Sequence, residues 1–293
     1  MIKILSLLAF LFVGCTQSDA PAEWTDWTDK LHKKYKEKFS SPSIVHHIYL
    51  NSDSEDAVIK KTSAGYRLSK EACEDCLVKV KREPGLKLSL VNLKDKTVTA
   101  IEKEKETKVE ALDSVFVTYY PEDKTDQIRV FIHDLKQEKL EKKRRRVFFP
   151  YKKDEIMVGT FNWLKEKSPI TMSRSDGTSK NMNIVAKISY DHKGKQGDLF
   201  VYDYGSKDDS YKDQEKTMLM YRDLSSGKST YGAGRFLSLN LKKKLGDIKD
   251  GETVSVDLNF SYNPPCAVST GFHCPLPQNT IDREVLAGEK YSK

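Results

Sequence analysis

The stretch Thr253-Val254-Ser255-Val256-Asp257-Leu258-Asn259-Phe260-Ser261-Tyr262-Asn263-Pro264-Pro265-Cys266-Ala267 decides the fold class. Val254, Val256, Leu258, Phe260 and Tyr262 fall on one side, and Thr253, Ser255, Asp257, Asn259 and Ser261 on the other. Period two with β-branched and aromatic side chains predicts a strand with one face on a core and the other on water or a polar cavity. Pro264 and Pro265 lack the N–H that a ladder needs, so pairing is expected to stop near Asn263. Asn263 precedes a proline and is therefore held extended, with an amide able to brace the loop or meet a ligand.

The same period recurs upstream. Leu86–Leu90, Val115–Tyr119 and Ile128–Ile132 alternate, and turn chemistry fills 92–96 and 120–124. Further strands are predicted at 155–161, 182–190, 198–204, 217–223 and 235–241, with Ser225-Ser226-Gly227-Lys228 as a hairpin turn. Many short strands with frequent turns predict an antiparallel β-barrel or sandwich. Ahead of them, Trp24, Trp27, Leu31, Tyr35 and Phe39 recur at spacings of three and four. That is an amphipathic helix, started by Pro21 and stopped by Ser40-Ser41-Pro42, with its aromatic face packed on the body rather than on a membrane. Residues 137–146 are charged, with no stacking aromatic between the charges, and read as a solvated linker rather than a nucleic-acid patch. Residues 205–215 are acidic but lack the ligand order of a calcium loop.

A net charge of +7 on 293 residues is no argument for an anionic polymer as partner, because the 50 basic and 43 acidic residues are interspersed. The N-terminus reads as an address. Lys3 precedes the apolar run Ile4–Val13, too short to span a bilayer, which ends Phe12-Val13-Gly14-Cys15 before a polar stretch. An apolar run closing on a small residue and Cys resembles a bacterial lipobox, so Cys15 is the expected lipidation site. The expected organisation is a signal peptide over 1–15, a tether and helix over 16–42, and a single β-rich domain over 43–293. The expected location is the cell envelope, with the membrane as partner through the lipid anchor and no nucleic acid.

Two clusters carry candidate chemistry. In Tyr221–Leu237, Gly232 and Gly234 permit close backbone approach, and Arg235 offers a planar fork for a carboxylate or phosphate. The competing reading pairs Arg235 with Asp223 or Asp257 as a buried ion pair. The second cluster is the opening stretch with its continuation Cys274-Pro275-Leu276-Pro277. Together the stretches Tyr221–Gly227, Thr230–Leu237, Asp257–Ala267, Cys274–Pro277, Asn279 and Ala287–Lys290 resemble the family catalogued as domain of unknown function 1684 (DUF1684). Leu258 stands where the family has Phe and Ser261 where it has Ala, and His46–Leu50 replaces its Gly-Trp-Leu segment. The resemblance is strongest over 198–291 and implies no established activity.

With Cys15 set aside, four cysteines remain, and an exported chain favours two disulfides, Cys266–Cys274 and Cys73–Cys76. Redox thiols come second. Zinc comes last, because the pair spacings fit a zinc ribbon poorly. His46 and His47 point apart on a strand, and His273 is the one histidine near the motifs. No cofactor motif, nucleophile elbow or phosphate loop occurs, so neither a cofactor nor a metal is expected. The leading expectation is a small-ligand or envelope-ligand site built from Tyr231, Arg235, Asn259, Asn263 and Glu289. One alternative is a hydrolase using Asp223, Asp257 or Glu289 as acid or base, with Arg235 clamping an anion. A structural envelope scaffold is the other.

Overall fold

The computed structural model describes residues 20–63, 65–122, 126–143, 146–175, 177–203, 217–237 and 245–291. Cys15 with the signal segment, the acidic loop 205–215 and the second half of the strand expected at 235–241 lie outside the described residues.

Helix α1 (Ala22–Lys36) forms where the aromatic spacing predicts it, with Glu23 in its first turn and Lys33, Lys34 and Lys36 in its last, the polarity that suits the helix dipole. A 3₁₀ turn at Ser41–Ser43 leads into β1 (Ile44–Leu50). There follow β2 (Ala57–Thr62), β3 (Gly65–Ser69), β4 (Val78–Glu83), β5 (Lys87–Asn92) and β6 (Val98–Ile101). Next come β7 (Thr107–Lys108), β8 (Val115–Pro121), β9 (Ile128–Asp134) and helix α2 (Leu135–Glu141). The C-terminal half contributes β10 (Ile156–Ser173), β11 (Ser179–His192), β12 (Lys195–Asp203), β13 (Thr217–Asp223), β14 (Arg235–Leu237), β15 (Glu252–Asp257), β16 (Ser261–Tyr262) and β17 (Asn279–Ile281).

Three sheets result. The first has order β1-β9-β8-β7, the second β3-β2-β4-β5-β6, and the third β15-β10-β11-β12-β13-β14-β16. All pairings are antiparallel except β13 with β17. The fold is therefore mainly β, antiparallel, with an N-terminal helix. One apolar core, including Leu50, Val80, Val115, Val117, Ile128 and Ile132, belongs to the two N-terminal sheets. The large sheet carries its own, with Met157, Phe161, Ile188, Leu199, Tyr221 and Leu258 among its members, and Trp24 and Trp27 of α1 pack against it.

Three local expectations are corrected. The charged run expected as a linker begins as α2. Asp134 caps it by accepting from the Lys136 N–H at 2.9 Å, and the charges fall at helical spacing: Gln137 donates to Glu141, and Lys142 pairs with Glu138 at 2.8 Å. β10 and β11 extend well beyond 155–161 and 182–190. The β10 extension, residues 162–173, is interrupted by an irregularity between Trp163 and Ser168, and only Ile170 and Met172 at its far end turn inward, so the alternation there is too short to read.

The third correction falls on the opening stretch. β15 ends at Asp257, which caps a 3₁₀ turn over Leu258–Phe260 by accepting from the Asn259 N–H at 2.9 Å. The chain re-enters the sheet only at Ser261–Tyr262, paired with β14. The turn breaks the period of two. Asn259 and Ser261, expected to face water or a polar cavity, are both completely buried.

Candidate functional site

Arg235 is the first residue of β14, opposite Tyr221 of β13. The preceding Gly234 has φ +96°, and a Cβ there would sit 2.8 Å from the Tyr221 carbonyl oxygen, so the approach requires glycine. The Arg235 side chain is completely buried. Its Nη2 donates to Asp223 Oδ2 at 2.7 Å and to the Val285 carbonyl at 3.0 Å, while Nη1 donates to the Ala287 carbonyl. The guanidinium also lies 5.2 Å from the Tyr221 ring centre. Asp223 Oδ1 accepts from the N–H groups of Ser225 at 2.7 Å and Val285 at 3.2 Å. The buried ion pair with Asp223 thus describes Arg235, and its fork grips the chain's own C-terminal segment rather than a ligand.

Asn259 is spent in the same way. Its Oδ1 accepts from the Lys152 N–H at 2.9 Å, and its Nδ2 donates to the Lys152 carbonyl at 2.8 Å and to Asp257 Oδ1 at 2.7 Å. Its own carbonyl accepts from Trp24 Nε1 at 3.0 Å, which fastens α1 to this turn. Asp257 Oδ2 accepts from the Tyr151 hydroxyl at 3.0 Å, and burial first, then that carboxylate, pushes the Tyr151 phenol up to about 12. Tyr231 donates to the Cys266 carbonyl at 3.2 Å and stacks edge-on with Tyr291. Asn279 joins β12 to β13, accepting from the Phe200 N–H and donating to the Phe200 and Met220 carbonyls. Each amide completes a backbone edge that the irregular chain leaves open.

Glu289 is also buried. Arg146 binds it in bidentate fashion, with Nε donating to Oε1 at 2.7 Å and Nη2 to Oε2, and Oε2 accepts from the Asn263 N–H at 2.8 Å. The three carboxylates considered for acid–base chemistry, Asp223, Asp257 and Glu289, therefore all hold donors of the fold itself. Cys73 and Cys76 are joined in a disulfide, with Cα atoms 5.3 Å apart. Cys266 and Cys274, expected as the second bridge, stand instead as free thiols in mutual hydrogen-bonding contact. Among the described residues no group of three side chains is placed to hold a metal.

What the structure does open is a cleft beside Asn263. It measures about 400 Å³ and lies between α1, the 39–44 turn and the segment from Tyr262 to Val268. Leu31, Tyr35, Phe39, Ile44, Tyr262 and Val268 supply apolar walls. Arg146 and Asn263 add polar groups, and the exposed Lys34 and Lys38 lie among the lining. Asn263 Nδ2 donates to the Lys290 carbonyl at 2.9 Å, whereas its buried Oδ1 has no partner. Of the five residues expected to bind a ligand, Asn263 alone lines this cleft; Tyr231, Arg235, Asn259 and Glu289 do not. Sequence reasoning missed Arg146 and the helix face at Leu31 and Tyr35. Arg146 ends the basic run immediately before Val147-Phe148-Phe149, and a cation abutting an apolar stretch was the available signal. A wider, shallower hollow of about 710 Å³ lies over β10–β12 around Gly159, Ser189 and Asp198, and of the opening stretch only Thr253 reaches it.

The buried pairs just described, Asp223–Arg235 and Arg146–Glu289, both fall inside residues 145–290, which match the family described as "Protein of unknown function (DUF1684)". That half of the chain belongs to the DUF1684 family. The matched region starts next to Arg146 and ends at Lys290, so the cleft takes about a third of its lining from the DUF1684 region and the rest from α1 and the turn after it. A solved structure similar to part of the chain is the solution NMR structure of an uncharacterized protein of Haloarcula marismortui. It is 26% identical over 52% of this chain and 80% of that one, with a TM-score of 0.42. No curated protein matches the chain significantly.

Proposed function

We propose that this protein is a lipid-anchored envelope protein that binds a small amphipathic anion in the cleft beside Asn263. The observation that carries the binding reading is the composition of that cleft. Apolar walls stand beside Asn263, whose buried side-chain oxygen has no partner, and the exposed Lys34 and Lys38 outnumber the one exposed carboxylate of the lining, Glu37. Its volume of about 400 Å³ falls within the range of small-molecule sites. A buried acceptor without a partner costs about 1–3 kcal/mol, which a ligand hydroxyl or amide N–H would recover. Lys34 and Lys38 would face a ligand carboxylate or phosphate, and the walls formed by Tyr35, Phe39 and Tyr262 would cover its apolar part. The anchor reading rests on the run into Gly14-Cys15.

Two experiments test these two parts separately. Untargeted metabolite mass spectrometry on the purified full chain should recover an anionic compound that is depleted in the doubly reversed variant Lys34→Glu/Lys38→Glu. Both lysines are exposed, so the fold should survive the change. Identical extracts from the two proteins would sink the binding reading. For the anchor, a clickable fatty acid fed to cells should label the protein and should fail to label Cys15→Ser.

A further inference from the structure

We infer that Cys266 and Cys274 form a reversible dithiol–disulfide site that exchanges with small-molecule disulfides. The fold exposes the two cysteines unequally. Cys266 sits on a 3₁₀ turn, Pro265–Ala267, straight after the proline pair, and is half-buried. Cys274 is buried, only 7% exposed, on a segment bound along the end of β10. There its carbonyl accepts from the Ser175 N–H at 3.1 Å, and the Leu276 N–H donates to Ser173 at 2.8 Å. Cys266 is thus the more exposed residue of the pair, and the two thiols are in hydrogen-bonding contact.

The surroundings divide the proton between them. The hydrogen bond from the Cys274 thiol, opposed by burial and aided by the neighbouring Tyr231 side chain, pulls the Cys266 thiol below its ordinary value. The same contact, together with burial, pushes Cys274 up. A half-buried thiol whose ionisation is favoured, touching a second thiol that can resolve the mixed disulfide, is the arrangement that thiol–disulfide exchange uses.

The steps balance without a further reagent. The Cys266 thiolate attacks one sulfur of a small disulfide R–S–S–R, forming Cys266–S–S–R and releasing one thiolate R–S⁻. That leaving thiolate takes up the Cys274 proton and departs as R–SH. The Cys274 thiolate then attacks the Cys266 sulfur, closing the Cys266–Cys274 disulfide and releasing a second R–S⁻, which is protonated by water. The protein loses two electrons and the small disulfide gains them.

Closure would act on the loop it brackets. That loop also carries the contacts to β1: Ser269 Oγ donates to the Ile44 carbonyl, His47 Nδ1 donates to the Gly271 carbonyl at 2.6 Å, and Phe272 packs near Phe131. Oxidation should therefore stiffen the junction between the large sheet and β1.

The test uses the full chain, reduced, freed of reductant and treated with oxidised glutathione, with alkylation and peptide mapping by mass spectrometry. Mapping separates these cysteines from Cys73 and Cys76. The wild type should yield a Cys266–Cys274 bridge that dithiothreitol reverses in the native protein. Cys274→Ser should trap glutathione on Cys266, and Cys266→Ser should take it up on Cys274 at least roughly tenfold more slowly. Three results would overturn the inference. One is a bridge that resists reduction in the native state, another is glutathione preferring Cys274, and the third is no uptake at either residue in the wild type. The wild-type map needs no variant to fold.

Discussion

At the scale of single residues, the most conspicuous cation of the motif region is a tie and not a clamp. The Arg235 and Asp223 side chains are both completely buried, and the arginine's Nη groups also reach the Val285 and Ala287 carbonyls, while its Nε has no partner. Breaking such a pair leaves an uncompensated charge in the core and costs about 3–5 kcal/mol. Arg235→Met should therefore lower the urea midpoint steeply, and Arg235→Lys should recover little, because an ammonium cannot reproduce the planar fork. The double variant Arg235→Met/Asp223→Leu should regain part of the loss, since it removes both charges together. If Arg235→Lys instead unfolded like the wild type while losing a bound metabolite, the anion-clamp reading would return. Asn263 belongs to this scale too. Asn263→Ala removes the donor to Lys290 along with the orphaned oxygen, so it should cost about 1 kcal/mol of stability at most and reduce ligand recovery.

At the scale of elements, α1 is held by aromatic contacts more than by polar ones. Trp27 meets Phe260 at 5.1 Å and Phe148 at 5.6 Å between ring centres, and Trp24 adds one hydrogen bond to Asn259. Trp27→Ala should cost about 2–3 kcal/mol, below the range for fully buried aromatics because the ring is only partly covered. Hydrogen exchange over 22–36 should rise well before global unfolding, and since α1 walls the cleft, ligand recovery should fall with it. Unchanged exchange in the helix would mean that the aromatic seat is not what holds it. This helix was legible because Trp24, Trp27, Leu31 and Tyr35 keep the helical period. The 253–262 strand was legible only to Asp257. Beyond it the hydrophobic alternation continues, but Asp257 caps a turn, and a side-chain hydrogen bond leaves no trace in a pattern of apolar positions. The cleft was not legible at all. Its walls come from residues 31–44, Arg146 and 262–268, and only the tertiary approach of α1 brings them together.

At the scale of the whole molecule, the N-terminal sheets and the large sheet have separate cores, and the loop over 269–273 joins them through hydrogen bonds to β1 and through ring contacts of Phe272 with His47 and Phe131. At Gly271 a Cβ would stand 2.7 Å from the Ile44 carbonyl oxygen, so the loop can lie against β1 only because that side chain is missing. Histidines hold the same region. Burial, reinforced by Arg67 and His273, pushes His46 down to about 4. Burial does the same to His47, with Arg129, His46 and His273 adding to it and the Gly271 carbonyl opposing. His133 lies buried between the Ser43 and Thr118 hydroxyls, and burial takes it to about 4 as well. In the unfolded chain these imidazoles return to about 6.5. As pH falls from 6.5 to about 4 the unfolded chain takes up protons that the folded chain refuses, so stability drops through that window. Above 6.5 the contribution is fully present, and below about 4 it is gone. Carboxylates such as Asp198, held below 3.8 by its bond from Ser189 and by Lys187, act only at the bottom of this range. Urea midpoints should therefore fall between about pH 7 and about pH 4.5, and His133→Gln should flatten part of that fall, the rest staying with His46, His47 and His192, which burial also pushes down. Exchange at 44–47 and 267–273 should rise over the same range, because His47 and Gly271 share a hydrogen bond across the junction. A midpoint that stays level down to about pH 4.5 would show that water reaches these imidazoles and that the junction does not sense pH.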